Sequence, residues 1–402
     1  MRKFILGLML TTSLAACVEG ERPKSNSSAS DGVVVSSEFE GLPELEIEEV
    51  GLVQELPSDY PSNYIFAHNM NFYSILDGNI NIIDTAADTL EFKGMINAAQ
   101  MASFAQSKSR NELYVSETYY SRGTHGKKTD VLTIYDMATL NIKDEILLPG
   151  GKRGQSVIQK GSLQLINDEK LALLWNFTPA SSISVIDMVS REIVTEIPTP
   201  GCALTFPLRG AAFATLCGDG KVASFVIDGA DVSRTISESF NDIDDDAMFM
   251  KSARVGNTQY FPTFTGNVRP ISVGTEQAIP LEEWSLVTPA ERKDNWRPSG
   301  WQVVTAQPNG NLFVLMQNNG EEGSHKAGGS EVWIFDVEAK KKIGAIKLDK
   351  GGLSIEATRG ADGHLVVTNL EMGLEVYSFD GNLQRSIIVN DTATPFLLHA
   401  AK

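Results

Sequence analysis

One phrase recurs along the chain and limits what it can fold into. Two or three β-branched or aromatic residues are followed by an Asp or a polar substitute, then a turn, then a second apolar alternation. Its fullest copy lies between Ser116 and Pro149, where Val131 to Tyr135 reads as a strand, Asp136 breaks it, and a second strand runs from Ile142 to Leu148. The phrase returns at Ile82-Ile83-Asp84, Val185-Ile186-Asp187, Val226-Ile227-Asp228 and Ile334-Phe335-Asp336. It is looser at Val376-Tyr377 with Asp380, and degenerate from Val268 to Val273, where Pro270 and Ser272 replace the usual residues. The Asp has a local task, since its short carboxylate accepts backbone N–H bonds two residues on and closes the turn. Seven copies at steps of roughly 40 to 60 residues match the repeat of a four-stranded propeller blade. The expectation is an all-β protein, a single seven-bladed β-propeller of four-stranded antiparallel blades over residues 56–402. Closure of such a ring predicts that the tail from Thr392 to Lys402 completes the first blade.

The first residues read as a targeting segment. Arg2 and Lys3 precede an apolar run from Phe4 to Leu10 and then Leu14-Ala15-Ala16-Cys17, too short to span a bilayer and laid out like a secretory signal. Leu-Ala-Ala-Cys resembles the lipobox of bacterial lipoproteins, which implies a signal at 1–16 and an acylated Cys17. Ordinary cleavage near Ala16, leaving a soluble periplasmic protein, is the rival. Val18 is not the Asp that holds such lipoproteins in the inner membrane, so the resemblance points to the outer one. Residues 17–55, rich in Ser, Glu, Lys and Gly and then acidic, read as a disordered tether.

Removing Arg2 and Lys3 with the signal takes the formal charge from −17 to 32 − 51 = −19. Nucleic acid is excluded as a partner on that balance. Cys202 and Cys217, the two cysteines left, form an even pair close in sequence and should make a disulfide between neighbouring strands of one blade. Their spacing is far from Cys-x-x-Cys. His68, His125, His325, His364 and His399 are scattered without metal-site spacing. Asp242, Asp244, Asp245 and Asp246 begin like a calcium loop, but Ala247 and Ala253 stand where its Gly and Glu belong. Gly150-Gly151-Lys152 are turn residues rather than a phosphate loop, and no G-x-S-x-G elbow exists. No catalytic or metal site is expected in this chain. Trp296 and Trp301 bracket Arg297-Pro298-Ser299-Gly300 and are either a binding surface or blade-closing core.

Two stretches are more specific. Val287 to Gln302, VTPAERKDNWRPSGWQ, is similar to a helix-and-turn phrase of the heavy subunits of bacterial quinoprotein amine dehydrogenases, the methylamine and aromatic amine enzymes. Ser121-Arg122, Gly126 and Thr129-Asp130 before Tyr135-Asp136 resemble that family too, as do His325-Lys326 ahead of Val332 to Asp336 and the Cys202/Cys217 pair. The resemblance runs in order from about Tyr64 to Val389.

It implies a propeller that holds no cofactor itself. In the family the heavy subunit pairs with a disulfide-rich light subunit in a heterotetramer. The light subunit's tryptophan tryptophylquinone oxidises a primary amine to aldehyde and ammonia, and a cupredoxin or c-type cytochrome takes the electrons. The heavy subunit shapes the substrate channel through an aromatic that follows a Gly-Met-Ile phrase. Here Gly94-Met95-Ile96 is present and the counted match is Gln100, with Met101 and Phe104 as alternatives; a polar, flexible Gln would open or rewet that channel. Tyr119, Tyr120, Trp296, Arg297, Trp301 and His325 are the expected partner-facing residues. The competing expectation is a lipid-anchored orphan propeller that serves as a binding or scaffold protein in the cell envelope. A broad apolar patch at these loops would favour a permanent partner.

Overall fold

The computed structural model describes residues 55–402, apart from 309, 361 and 390–393. The expected signal at 1–16 and the tether at 17–55, Glu55 excepted, lie outside these residues, and so does Cys17.

Seven antiparallel sheets make a seven-bladed β-propeller. From the inside out, blade 1 is Thr394–Ala400, Tyr64–Met70, Asn79–Asp84 and Phe92–Asn97, and blade 2 is Ser103–Ser107, Glu112–Arg122, His125–Asp136 and Ile142–Leu148. Blade 3 runs Leu163–Ile166, Leu171–Asn176, Ser182–Asp187 and Glu192–Pro198. Blade 4 runs Cys202–Pro207, Ala212–Cys217, Val222–Asp228 and Asp231–Ile236. Blade 5 is Ala253–Val255, Thr258–Pro262, Asn267–Ser272 and an outer strand split into Ile279–Pro280 and Trp284–Ser285. Blade 6 has Val304–Ala306, Asn311–Gln317, Gly329–Asp336 and Lys341–Gly352, with Arg297–Pro298 also paired to its second strand. Blade 7 is Ser354–Ala357, His364–Thr368, Leu374–Ser378 and Leu383–Ile387.

All seven copies of the recurring phrase fall on the third strand of their blades. The Asp closes the turn that follows: Asp136 Oδ1 accepts from the N–H groups of Ala138 and Thr139 at 3.0 and 2.9 Å, and Asp187 and Asp336 repeat the bond two and three residues on. The degenerate copy has a physical reason. Pro270 lacks the N–H an outer strand would pair with, and the outer strand of blade 5 breaks opposite it, resuming at Trp284 against Val268.

Each blade is sandwiched between two others, so the middle strands bury both faces. In the second strand of blade 6, Leu312, Val314 and Met316 pack toward blade 5, while Phe313 and Leu315 pack toward blade 7. This is the period-2 alternation of a strand, with apolar partners on either side. Cys202 and Cys217 are cross-strand partners in blade 4 and are joined as a disulfide.

The tail closes the ring, because Thr394–Ala400 pairs with Tyr64–Met70 as the inner strand of blade 1. Side chains from the neighbouring inner strand of blade 7 and from the link paired with it hold it there: Leu398 N–H donates to Gln302 Oε1 at 2.9 Å, and Ala400 N–H donates to Glu356 Oε1 at 3.2 Å.

Candidate functional site

Connections in an antiparallel blade alternate between its two ends, so the loops sort into two faces. At one end they are short, as at 108–111, 137–141 and 229–230. At the other they are long, as at 71–78, 149–162, 237–252, 286–303 and 318–328. Gln100, Met101, Trp296, Arg297, Trp301 and His325 all belong to the long-loop end. Tyr119 and Tyr120 lie in the middle hairpin of blade 2, whose 11- and 12-residue strands overhang the 5-residue inner strand at that same end. Phe104 is different. It sits on the inner strand of blade 2, buried against Phe66 at 4.8 Å and His399 at 5.0 Å between ring centroids, and is core.

The turn that carries Gln100 and Met101 is held in a left-handed conformation at both residues, φ 56° and 57°. For non-glycine residues this costs on the order of 1 kcal/mol each and must be stabilised from outside the turn. Arg153 does so. Its guanidinium donates to the carbonyl of Gln100 at 3.1 Å, to the carbonyl of Met101 and to Thr118 Oγ1 at 3.0 Å, while the Arg153 backbone N–H donates to Asp130 Oδ2 at 3.0 Å. Glu117 grips the preceding residue, accepting from Ala99 N–H at 3.0 Å and from the Thr133 hydroxyl at 2.6 Å. Burial pushes the Glu117 carboxyl above its ordinary value, partly offset by these donors and by Arg153. Desolvation lowers the Arg153 guanidinium to about 10 against the pull of Asp130 and Glu117.

Gln100 is therefore neither flexible nor exposed. Its side chain is buried, its Oε1 accepts from Gln155 Nε2 at 2.9 Å, and Tyr120 donates to Gln155 Oε1 at 2.9 Å. The chain Gln100–Gln155–Tyr120 runs from the buried turn to the rim. The Gln100 Nε2 group is buried without a hydrogen-bond partner among the described residues. Arg153, Glu117 and Gln155 carry no motif. The only sequence hint to Arg153 was the Gly150-Gly151-Lys152 turn before it, whose glycines take φ 84° and 61° and fold the loop back under blade 2.

A second cluster gathers at blades 5 and 6. A five-residue helix, Pro289–Lys293, starts with a capping box between Thr288 and Glu291 and delivers the Trp-Arg-Pro turn. Trp296 packs on Trp333 at 4.8 Å and is largely core, and Arg297 lies half-buried beside Gly320. His325 stacks on Phe264 at 4.3 Å, and its carbonyl accepts from Gly300 N–H at 3.0 Å, tying the two stretches together. Burial first, then Lys326 and Lys251, lower the His325 imidazole below its usual value. Trp301 joins this cluster to the first one. It shares an apolar plug with Met101, Ile158, Phe396 and Leu397 at the mouth of the channel.

Around these clusters the long-loop end leaves large apolar side chains exposed: Phe72, Tyr73, Leu76, Tyr119, Leu370 and Met372. On the short loops at the opposite end the comparable residues are Leu90 and Val189.

Solved structures similar to this one show the fold alone. A functionally unknown protein from Desulfotomaculum acetoxidans superposes with TM-score 0.54 at 12% identity, over 82% of this chain and 96% of that one. A dihydro-heme d1 dehydrogenase superposes with TM-score 0.50 at 12% identity, over 86% and 78%. Sequence relatives are more specific. The methylamine dehydrogenase heavy chain of Methylobacillus flagellatus is 25% identical over 325 residues, 79% of this chain and 78% of its own. That of Methylorubrum extorquens is 27% identical over 329 residues, 78% and 77% of the two chains. The family model for methylamine dehydrogenase heavy chain matches residues 65–389, from the second strand of blade 1 to the link that leads into the closing strand. By that match over most of its length, the chain belongs to the methylamine dehydrogenase heavy chain family.

Proposed function

We propose that this chain is the heavy subunit of a periplasmic quinoprotein amine dehydrogenase, and that its long-loop end receives the light subunit. The observation that carries the reading is the gathering of exposed apolar side chains around the strained Gln100–Met101 turn, in a chain of this family. An obligate interface buries a large, mostly apolar area, and exposed apolar side chains gather at this end of the propeller, whereas the short loops carry Leu90 and Val189. The tryptophan tryptophylquinone belongs to the light subunit and supplies the oxidation of a primary amine to aldehyde and ammonia. This chain's part is to bind that subunit, exclude water around the channel, and present the partnerless Gln100 Nε2 beneath it. A hydrogen-bond donor there, in place of an aromatic, suits an amine with a polar group near its nitrogen better than methylamine. Electrons leave to a cupredoxin or c-type cytochrome. Acylation at Cys17 would tether the complex to the outer membrane.

The test is a pull-down of the tagged protein from its native membranes. A small co-purifying chain with a quinone absorbance that amine bleaches is the expected result. A colourless, solitary propeller would sink the reading and leave an orphan scaffold at the envelope.

A further inference from the structure

The central channel holds a cavity of about 260 Å³, walled by inner strands and by the links that enter them. Its charged lining is unlike the rest of the protein. In a chain with 51 acidic and 34 basic residues, the cavity wall carries Lys160, Lys251, Arg254 and Arg359 against a single acid, Glu356.

That acid is already engaged. Glu356 accepts from Lys160 Nζ at 2.8 Å, Gln302 Nε2 at 2.7 Å and Thr305 Oγ1 at 3.2 Å, all on Oε2, with the Ala400 N–H on its other oxygen. The remaining three cations have no carboxylate within salt-bridge distance among the described residues. Lys251 rests its ammonium 3.9 Å above the Trp301 ring. The Arg254 Nε–H donates at 2.9 Å to the carbonyl of Gly256, two residues on, and the Arg359 guanidinium makes no hydrogen bond among the described residues. Gln159 Oε1, on the same wall, is buried without a partner. Cations crowded on a concave wall without counter-charges focus a positive field into the space between them, and guanidinium groups are suited to bidentate contact with carboxylate or phosphate oxygens. The volume is just below the usual range of ligand pockets, about 300–1,000 Å³, so the occupant is small.

We propose that the axial channel is a binding site for a small multiply charged anion, a polycarboxylate or a phosphate compound, held by Lys251, Arg254 and Arg359. The cavity reaches the long-loop end at Lys251 and Trp301, but the proposal does not rest on the amine dehydrogenase reading. Burial and the charge of Lys326 hold the Lys251 ammonium down at about 8, so an anion seated beside it draws a proton onto Lys251 near that pH.

Titration calorimetry of the full chain with citrate and, in a separate arm, pyrophosphate tests the site and distinguishes the two chemistries. The expected result is one saturable site per chain for at least one of these anions. Affinity should fall with added salt, and binding at pH 8 should take up protons, read as a dependence of the heat on buffer ionisation. Arg359→Gln and Lys251→Gln should each weaken binding at least tenfold, whereas Lys127→Gln, an exposed lysine outside the cavity, should leave it unchanged. Arg254 and Arg359 are exposed and free of ion pairs, so Arg254→Gln and Arg359→Gln should fold, and either decides the matter if the Lys251 variant does not. Absence of saturable binding by both anions, or wild-type affinity in folded Arg254→Gln and Arg359→Gln, overturns the proposal.

Discussion

The indole Nε1–H of Trp301 donates at 3.0 Å to the carbonyl of Ile158, 143 residues away in sequence. That bond joins the link between blades 5 and 6 to the link between blades 2 and 3 across the mouth of the channel. The ring packs on Phe396 of the closing strand at 5.2 Å between centroids and carries the Lys251 ammonium 3.9 Å from its own. Trp301→Phe keeps the ring and leaves the Ile158 carbonyl without its partner, and should cost about 1 kcal/mol. Trp301→Ala also removes packing that touches the closing strand and should cost about 3 kcal/mol. Urea unfolding of the two variants checks this. Equal losses would mean that the ring contributes little beyond its hydrogen bond.

Glu356 is the hub between Lys160 of one link and the closing strand, and the consequence is asymmetric. Glu356→Ala leaves the Lys160 ammonium without a counter-charge inside the channel, with Gln302 and Thr305 short of an acceptor. Because the Lys160 side chain is 33% exposed, the loss should fall below the roughly 3–5 kcal/mol of breaking a fully buried pair on one side. Removing both charges, with Lys160→Met and Glu356→Leu together, should recover most of that loss. Urea midpoints of the single and double variants decide it: a double variant as unstable as Glu356→Ala would show that hydrogen bonds to the carboxylate, rather than the paired charge, hold the closing strand.

What the sequence made legible follows from the range of the interactions involved. The Asp136, Asp187 and Asp336 turns are closed by contacts two and three residues long, so the residues that specify each turn stand next to one another in the chain and the repeat could be counted. Ring closure by the tail was legible for a different reason, since a propeller without it leaves an unpaired edge. Pro270 marked its blade as irregular, but the rule that proline lacks a donor does not say where the outer strand resumes, which is at Trp284. The Arg153 network escaped altogether. Its partners Gln100 and Thr118 lie 53 and 35 residues away, and a lone Arg after a glycine turn has the same local sequence whether it is solvated or buried. Gln100 was found by counting along a resemblance, yet its burial depends on Gln155 and Tyr120 and so belongs to the three-dimensional packing.

Acid should destabilise the propeller through two histidines, His68 and His399. Burial, with a smaller contribution from the Arg153 charge, holds His68 at about 3, and His399, with its ring centroid 6.4 Å away, is also held well below its usual value. Both are neutral in the folded state near neutral pH. The unfolded chain binds protons at these residues near pH 6.5, so folding stability falls as the pH drops from about 6.5 toward about 3. Glu169 adds to this at lower pH. Burial opposes its charge, but the donors of Ser109 and Ser107 and the Lys402 ammonium hold it at about 2, so its contribution is lost from about 4.5 downward. Urea unfolding between pH 6.5 and 5 should show a slope that His68→Leu flattens by up to about 1.4 kcal/mol per pH unit, the value of one proton. An unchanged slope in that variant would mean that His68 is protonated in the folded chain. Glu169→Gln should flatten the profile only below about pH 4.5.

The long-loop face yields a prediction that separates partner binding from folding. Tyr73 is 96% exposed and Leu370 48% exposed, on blades 1 and 7. Neither needs its apolar character to hold this chain together, and changes at such surface sites usually stay within about 0.5 kcal/mol. A carboxylate at either position would have to be desolvated unpaired if a light subunit covers the face, which costs far more than it does in water. Tyr73→Asp combined with Leu370→Asp should therefore leave the unfolding midpoint close to wild type and reduce the co-purifying small chain at least tenfold. Leu90→Asp with Val189→Asp, the matching change on the short-loop end, should reduce it little. Equal recovery of the partner from the two double variants would place the interface elsewhere, while equal loss without a change in stability would extend it to both ends. Only selective loss at the long-loop end ties the exposed apolar residues to the strained turn that Arg153 holds beneath them.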